Sequence, residues 1–289
     1  GVQTCALPIC RLLLKGGAAF AGAAALGRFT AEVNAQPASI ELPLANGKRL
    51  LAKYPEKRPL IVLTSRPPQL ETPFDVFNQG LITPNDAFFV RYHHSAIPTS
   101  IDGDKHVINI GGAACAKPFQ LTVGQLRRQF KPIEYIAVNQ CSGNSRGHFN
   151  PRVTDGQLSN GAMGNARWVG VPLKEVLARA EIKDSARQLV FNGLDFPVYG
   201  AGDFVKSLKV DHAMDGEVML AYEMNGSDIP MLNGYPVKLI VPGYYGTYWI
   251  KHLSDIEIVK NDFEGFWMKP AYRIPDNDCA CVEPGKTPS

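Results

Sequence analysis

Tyr135-Ile136-Ala137-Val138-Asn139-Gln140-Cys141-Ser142-Gly143-Asn144-Ser145-Arg146-Gly147 is the stretch on which the fold and the chemistry both turn. Residues 135–139 are rich in β-branched and aromatic side chains and read as a strand. The strand runs directly into Cys141, and the small residues beyond it let backbone N–H groups approach whatever the sulfur binds. Arg146 stands where it favours a thiolate and receives an anion nearby. Two other readings of Cys141 remain beside a ligand role. A lone cysteine is commonly a buried packing residue, and a cysteine with a histidine partner can be a nucleophile. Spacing picks no such partner, because His148 lies in a loop that contains Asn150 and Pro151.

Outward from this stretch the pattern stays regular. Residues 88–92 and 106–110 read as strands, the second ended by Gly111-Gly112. Thr122 opens a short helix with Gln125 at the capping-box spacing. Pro172 suits a first helical turn, after which Leu173, Val176, Leu177 and Ala180 share one face. Residues 189–191, 218–222, 237–241 and 256–259 are further strands punctuated by Asn-Gly and Pro-Gly turns. Asn233-Gly234 is a hairpin signal in its own right. Strands and helices mix without βαβ alternation, so the expected class is α+β with mixed sheets. Residues 36–70 read as a Pro-dotted, partly extended lead-in, and the chain turns irregular after Phe266.

Composition narrows the function classes. A formal charge of +3 over 289 residues, with Lys and Arg spread along the chain, gives no stripe for nucleic acid. Six cysteines include no CxxCH, hence no attached c-type haem, and no CxxC pair for structural zinc or an iron–sulfur cluster. Cys279 and Cys281 receive no role. Residues 1–35 read as an export signal, with a Gly/Ala-rich core from Gly16 to Leu26 and small residues at Val33-Asn34-Ala35 before Gln36. Arg11-Leu12-Leu13-Leu14-Lys15 resembles a twin-arginine signal with Cys10 in place of the first arginine, so the start reads as damaged and the destination as the periplasm. No other segment is apolar enough to span a membrane.

Other polar residues carry two readings each. Alternation puts Arg91 and His93 on one face of their strand, as a site pair or as an outward pair on an edge. Asp195 follows Gly193-Leu194, where a carboxylate commonly makes a turn. Lys238 lies inside a strand, facing solvent or reaching a phosphate.

Taken in order, the pieces resemble the molybdopterin-binding domain of sulfite oxidases and bacterial sulfite dehydrogenases. The matching stretches begin with Phe89-Val90-Arg91-Tyr92-His93, Asn139 to Arg146, and Gly161-Ala162-Met163-Gly164-Asn165-Ala166-Arg167-Trp168. They continue through Gly193-Leu194-Asp195, Ala221-Tyr222-Glu223-Met224-Asn225-Gly226, Gly234-Tyr235-Pro236-Val237-Lys238, Val241-Pro242-Gly243-Tyr244-Tyr245-Gly246 and Trp249-Ile250-Lys251. The resemblance covers roughly residues 60–276, within a domain taken as 36–276.

The resemblance implies a molybdenum-molybdopterin cofactor with Cys141 as the protein's thiolate ligand, and no haem on this chain. By the same carry-over, Phe89, Val90, Arg91, Tyr92, His93, Asp195, Asn233, Lys238, Trp249, Ile250 and Lys251 line the pterin and its phosphate. Arg91, His93, Arg146 and Tyr272 surround the substrate anion, sulfite, and the electrons pass to a separate c-type cytochrome or haem subunit. Three departures stand out: Asn233 where the family usually has His, Lys238 where it usually has Arg, and Leu158 where many relatives place a pocket tryptophan. Asn in the first position also occurs in related periplasmic methionine-sulfoxide reductases, which makes reduction of an oxo-acceptor the rival activity. An exported binding protein without catalysis and a cysteine hydrolase are the remaining rivals. The family normally continues into a β-sandwich that forms a homodimer, so residues 277–289 read as the truncated start of a further segment.

Overall fold

The strand that carries the cysteine forms because its side chains alternate, with Tyr135 and Ala137 turned toward the core while Glu134 and Ile136 face outward. The structure, a computed structural model, describes residues 38–198, 200 and 202–273, all within the unit Pro37–Ser289. The expected export signal, the segment 277–289, and Cys5, Cys10, Cys279 and Cys281 lie outside the described residues.

In chain order, β1 (Ser39–Leu42), β2 (Gly47–Ala52), β3 (Leu60–Thr64), β4 (Gln69–Glu71) and β5 (Val90–Arg91) pair successively in a first sheet. Then come β6 (Val107–Gly111), β7 (Phe119–Thr122), α1 (Val123–Gln129), β8 (Ile133–Gln140), β9 (Met163–Pro172) and α2 (Leu173–Leu177). The remainder is β10 (Gln188–Gly193), β11 (Lys206–Lys209), α3 (Val210–Ala213), β12 (Met219–Met224), β13 (Ser227–Asp228), β14 (Lys238–Ile240) and β15 (Leu253–Val259). The second sheet runs β11-β10-β15-β6-β7, with β15 and β6 parallel. The third runs β13-β12-β9-β8, and β14 adds to β12. Mixed sheets with three short helices make this an α+β fold, as the sequence implied.

Local chemistry explains several boundaries. Thr122 Oγ1 accepts from Gln125 N at 3.1 Å and Gln125 Oε1 accepts from Thr122 N at 2.8 Å, closing the anticipated capping box. Asn225 and Gly226, at φ 55° and 82°, turn β12 into β13 as a two-residue hairpin. Asn233-Gly234, expected as a hairpin, instead ends a 3-10 turn, Met231–Asn233. The pyrrolidine of Pro230 before it and the Tyr235-Pro236 unit after it leave no ladder for Asn233-Gly234 to join.

The lead-in is the larger difference. Residues 36–70 supply four of the five strands of the first sheet. Each is three to six residues long and interrupted by prolines, so no period accumulates in the sequence; pairing with a neighbour defines them. Strands β7, β9 and β11 were likewise outside the expectation. The main core centres on Trp168 and Trp249, edge to face at 5.7 Å, with Phe88 against Trp168 at 6.1 Å. Burying one such aromatic, roughly 150–250 Å², contributes about 4–6 kcal/mol at about 25 cal/mol per Å².

Candidate functional site

Cys141 leaves β8 buried, its N–H bonded to Ala162 O at 2.9 Å, beside the start of β9. The chain then doubles back, Asn144 N donating to Cys141 O at 3.0 Å, which brings Gly143 N to within 3.4 Å of Cys141 Sγ. A backbone N–H therefore reaches the sulfur itself. Arg146 folds over Gly143, where an added Cβ would lie 2.9 Å from Nη1 and would push the guanidinium aside.

Distant groups fix the loop. Ser145 N donates to Ser159 O at 2.6 Å, Gly147 N to Leu158 O at 2.8 Å, and Asn46 Nδ2 to Gly147 O at 3.1 Å. Behind it, buried Glu71 accepts from Gly161 N at 3.3 Å, and burial raises its carboxyl to about 7.

Cys141 opens onto a narrow cleft. One wall is cationic. Arg91, Lys238 and Lys251 line it together with Asn233. The Lys251 ammonium donates to Arg91 O at 2.9 Å and lies 4.2 Å from the Tyr92 ring centre, while Arg91 donates to Tyr92 O. Lys238 is 3 % exposed and lies over the Trp168 and Trp249 rings at 5.1 and 5.7 Å. Burial, then repulsion from Lys251 and Lys57, pushes the Lys238 amine well below its ordinary range. Burial also lowers Lys251, opposed by the Asp195 carboxylate. Among the described residues, neither Arg91 nor any of these lysines forms a salt bridge.

The facing wall is aromatic. His93 stacks on Phe204 at 3.9 Å, leans on Trp267 at 4.7 Å and hydrogen-bonds through Nε2 to Tyr272 Oη. Burial first, then the positive charges of Arg91 and Lys251, hold His93 well below its ordinary pKa, so the ring is neutral.

The cleft thus gathers Phe89, Arg91, His93, Cys141, Asn233, Lys238, Trp249, Lys251 and Tyr272 from the residues singled out in the sequence. It does not gather the others on its lining. Val90 packs with Leu60, Leu70 and Tyr92 in a separate small core, and Ile250 belongs to the main core. Tyr92 donates to His252 Nε2 at 2.7 Å, and His252 Nδ1 donates to Tyr235 O at 2.5 Å. Asp195 is buried, its pKa raised by burial and partly restored by Lys251 and His94. Arg146 stays on the cysteine loop, donating to Gly156 O at 3.4 Å.

Phe88, Asn139, Phe204, Leu232, Gly246 and Thr247 line the cleft and were missed. Only Asn139 carried a signal: two residues before Cys141, it shares that face of the strand. Asn139 Oδ1 is buried without a hydrogen-bond partner among the described residues, which is the mark of a group awaiting a ligand. Together with the free thiol and the unpaired cations, it fits an anionic cofactor with polar ring atoms and a soft metal.

The family model described as the oxidoreductase molybdopterin binding domain matches residues 94–267, which leaves Arg91, His93 and Tyr272 outside the match. Mitochondrial sulfite oxidase of Rattus norvegicus is 32 % identical over 226 residues, covering 76 % of this chain and 41 % of that protein. The NADH nitrate reductase of Cichorium intybus is 30 % identical over 253 residues, covering 76 % of this chain and 27 % of that protein. Among solved structures, the sulfane dehydrogenase SoxCD from Paracoccus pantotrophus superposes with a TM-score of 0.59 at 30 % identity, over 68 % of this chain and 49 % of that one. The chain therefore spans less than half the length of these relatives.

Proposed function

Since the chain belongs to the oxidoreductase molybdopterin-binding domain family, we propose that it oxidises sulfite to sulfate and passes the electrons to a separate c-type cytochrome. The observation that carries the reading is the cationic wall beside Cys141: Arg91, Lys238 and Lys251 line one cleft and, among the described residues, none of them forms a salt bridge. Cations held out of water in this way are stabilised by a bound anion.

When bound, the molybdenum-molybdopterin cofactor supplies the two-electron oxygen-transfer couple. Cys141 is the thiolate this chain offers the metal, and Gly143 N–H, aimed at the sulfur, stabilises its negative charge. No group of three or more His, Cys, Asp or Glu side chains gathers among the described residues. Lys238, Lys251 and Asn233 would hold the cofactor's anionic end, in a cleft that Trp249 and Phe89 also line. Arg91 in the cleft receives the sulfite anion, and Arg146, held on the cysteine loop, adds positive charge from outside the lining. Neutral His93 orients the Tyr272 hydroxyl, which controls access and can pass a proton.

The test is sulfite-dependent reduction of ferricyanide and of cytochrome c by protein produced with molybdenum cofactor, with Cys141→Ser as the control. Turnover confined to the wild type supports the reading, and none in metal-loaded protein sinks it. A second reading, reduction of an oxo-acceptor such as nitrate or methionine sulfoxide, draws on the nitrate reductase relative; the same protein assayed with a reduced dye and each acceptor decides between them. Export of residues 1–35 to the periplasm and homodimerisation of the full-length protein complete the proposal. No helix among the described residues is long and apolar enough to cross a membrane. A reporter fused behind residues 1–35 that stays in the cytoplasm would argue against export.

A further inference from the structure

We propose that Lys57, a residue behind the cleft, is a positioning residue that locks the Asn233 carboxamide with an N–H toward the anionic end of the cofactor. The inference rests on the cofactor reading above. Lys57 is 2 % exposed, and its ammonium donates to Asn85 O at 2.5 Å, to Phe88 O at 3.2 Å and to Asn233 Oδ1. An ammonium has three donors and no acceptor, so these contacts use all of its hydrogens. On the other side, Asn233 Nδ2 donates to Phe89 O at 2.9 Å.

These two neighbours decide which way the amide points. Rotated by half a turn, Asn233 would set its N–H groups against the ammonium and its oxygen against the Phe89 carbonyl. In the observed orientation the amide oxygen is consumed by Lys57 and one N–H by Phe89. The second N–H is the amide's unused donor, and Asn233 lines the cleft beside Lys238 and Lys251. These residues therefore present donors and positive charge without a free acceptor, which selects a phosphate monoester over a neutral polar group.

Charge supports the geometry. Burial lowers the Lys57 amine to about 7, while Glu56 and Asp86 draw it upward. Lys238 faces it as a like charge. A phosphate brought to the cleft opposes both burial and repulsion, so binding takes up a proton near neutral pH. Above the titration Lys57 becomes a neutral amine that can accept as well as donate, and the amide lock loosens.

The experiment measures molybdenum and pterin bound per protein, and the rate of pterin release on dilution, for wild type, Lys57→Met, Asn233→Ala and the double variant. Lys57→Met is expected to release pterin about tenfold faster, as for a lost charged hydrogen bond. Wild-type release should quicken from pH 7 upward, and Lys57→Met should lose that slope. In the Asn233→Ala background Lys57→Met should add little, because the residue acts through the amide. Lys57→Gln, which keeps a donor, is expected to fall between wild type and Lys57→Met, and serves if the Met variant does not fold. Equal release by wild type and Lys57→Met, an unchanged pH slope, or additive losses in the double variant would each overturn the inference. Wild-type protein that takes up neither molybdenum nor pterin would instead overturn the cofactor reading, and this inference with it.

Discussion

The two walls of the cleft meet the cost of burial in opposite ways. On one side Lys57, Lys238 and Lys251 stay in the interior with backbone carbonyls, an amide and aromatic rings around them, and among the described residues they form no salt bridge. On the other side His93 has given up its charge and lies packed between Phe204 and Trp267. The first wall stores unspent attraction for an anion, whereas the second is already content without one. On the proposed reading, the cationic wall governs what is bound and the aromatic wall what happens to it.

Substitutions should separate these roles. The largest effect is expected from Lys238→Met, which removes a desolvated charge: cofactor retention should fall about 100-fold, measured as molybdenum and pterin per protein. Retention equal to wild type would erase the distinction between the walls. The next concerns the support of the cationic wall. His252, fully buried against Tyr92 and the Tyr235 carbonyl, has its pKa lowered to about 3 by burial. A histidine whose folded pKa lies below its unfolded value adds stability above the unfolded pKa and loses it as pH falls. Denaturant midpoints should thus decline between about pH 6.5 and 3, at about 1.4 kcal/mol per pH unit from this group. His252→Asn should flatten that decline.

Tyr272→Phe removes one hydroxyl from the aromatic wall. Turnover should drop about tenfold while molybdenum content stays constant, the reverse of the Lys238 pattern. A fall in molybdenum content would return Tyr272 to the binding side. Smallest of all, His93→Gln should leave the pH at which turnover inflects unchanged, because the imidazole is already neutral throughout the working range; a moved inflection would show that it titrates.

Much of the cationic wall was readable in the sequence, and little of the aromatic one. Arg91, Cys141, Lys238 and Lys251 sit on or beside strands within short stretches of distinctive order, and the family resemblance of those stretches, rather than local pattern alone, singled them out. Phe204 and Trp267 come from irregular segments with no period, and only tertiary packing gives them meaning. Lys57 was hidden for another reason: it lies in a stretch that reads as a loose lead-in, and its partner Asn233 is 176 positions away. The α+β class was legible because hydrophobic runs alternate with turn signals, whereas β1 to β4 are too short to announce themselves. Arg146 was read as receiving the substrate anion and Asp195 as lining the pterin, yet neither is among the residues of the cleft lining.

The bond from Asn46 to Gly147 joins residues 101 positions apart. It means that the cysteine loop cannot acquire its final shape from its own neighbourhood, however quickly β8 and β9 pair. Long-range closure of this kind is slow, because chain entropy is lost before the contact repays it. The Asn46 amide thus ties the cysteine loop to the connection between β1 and β2.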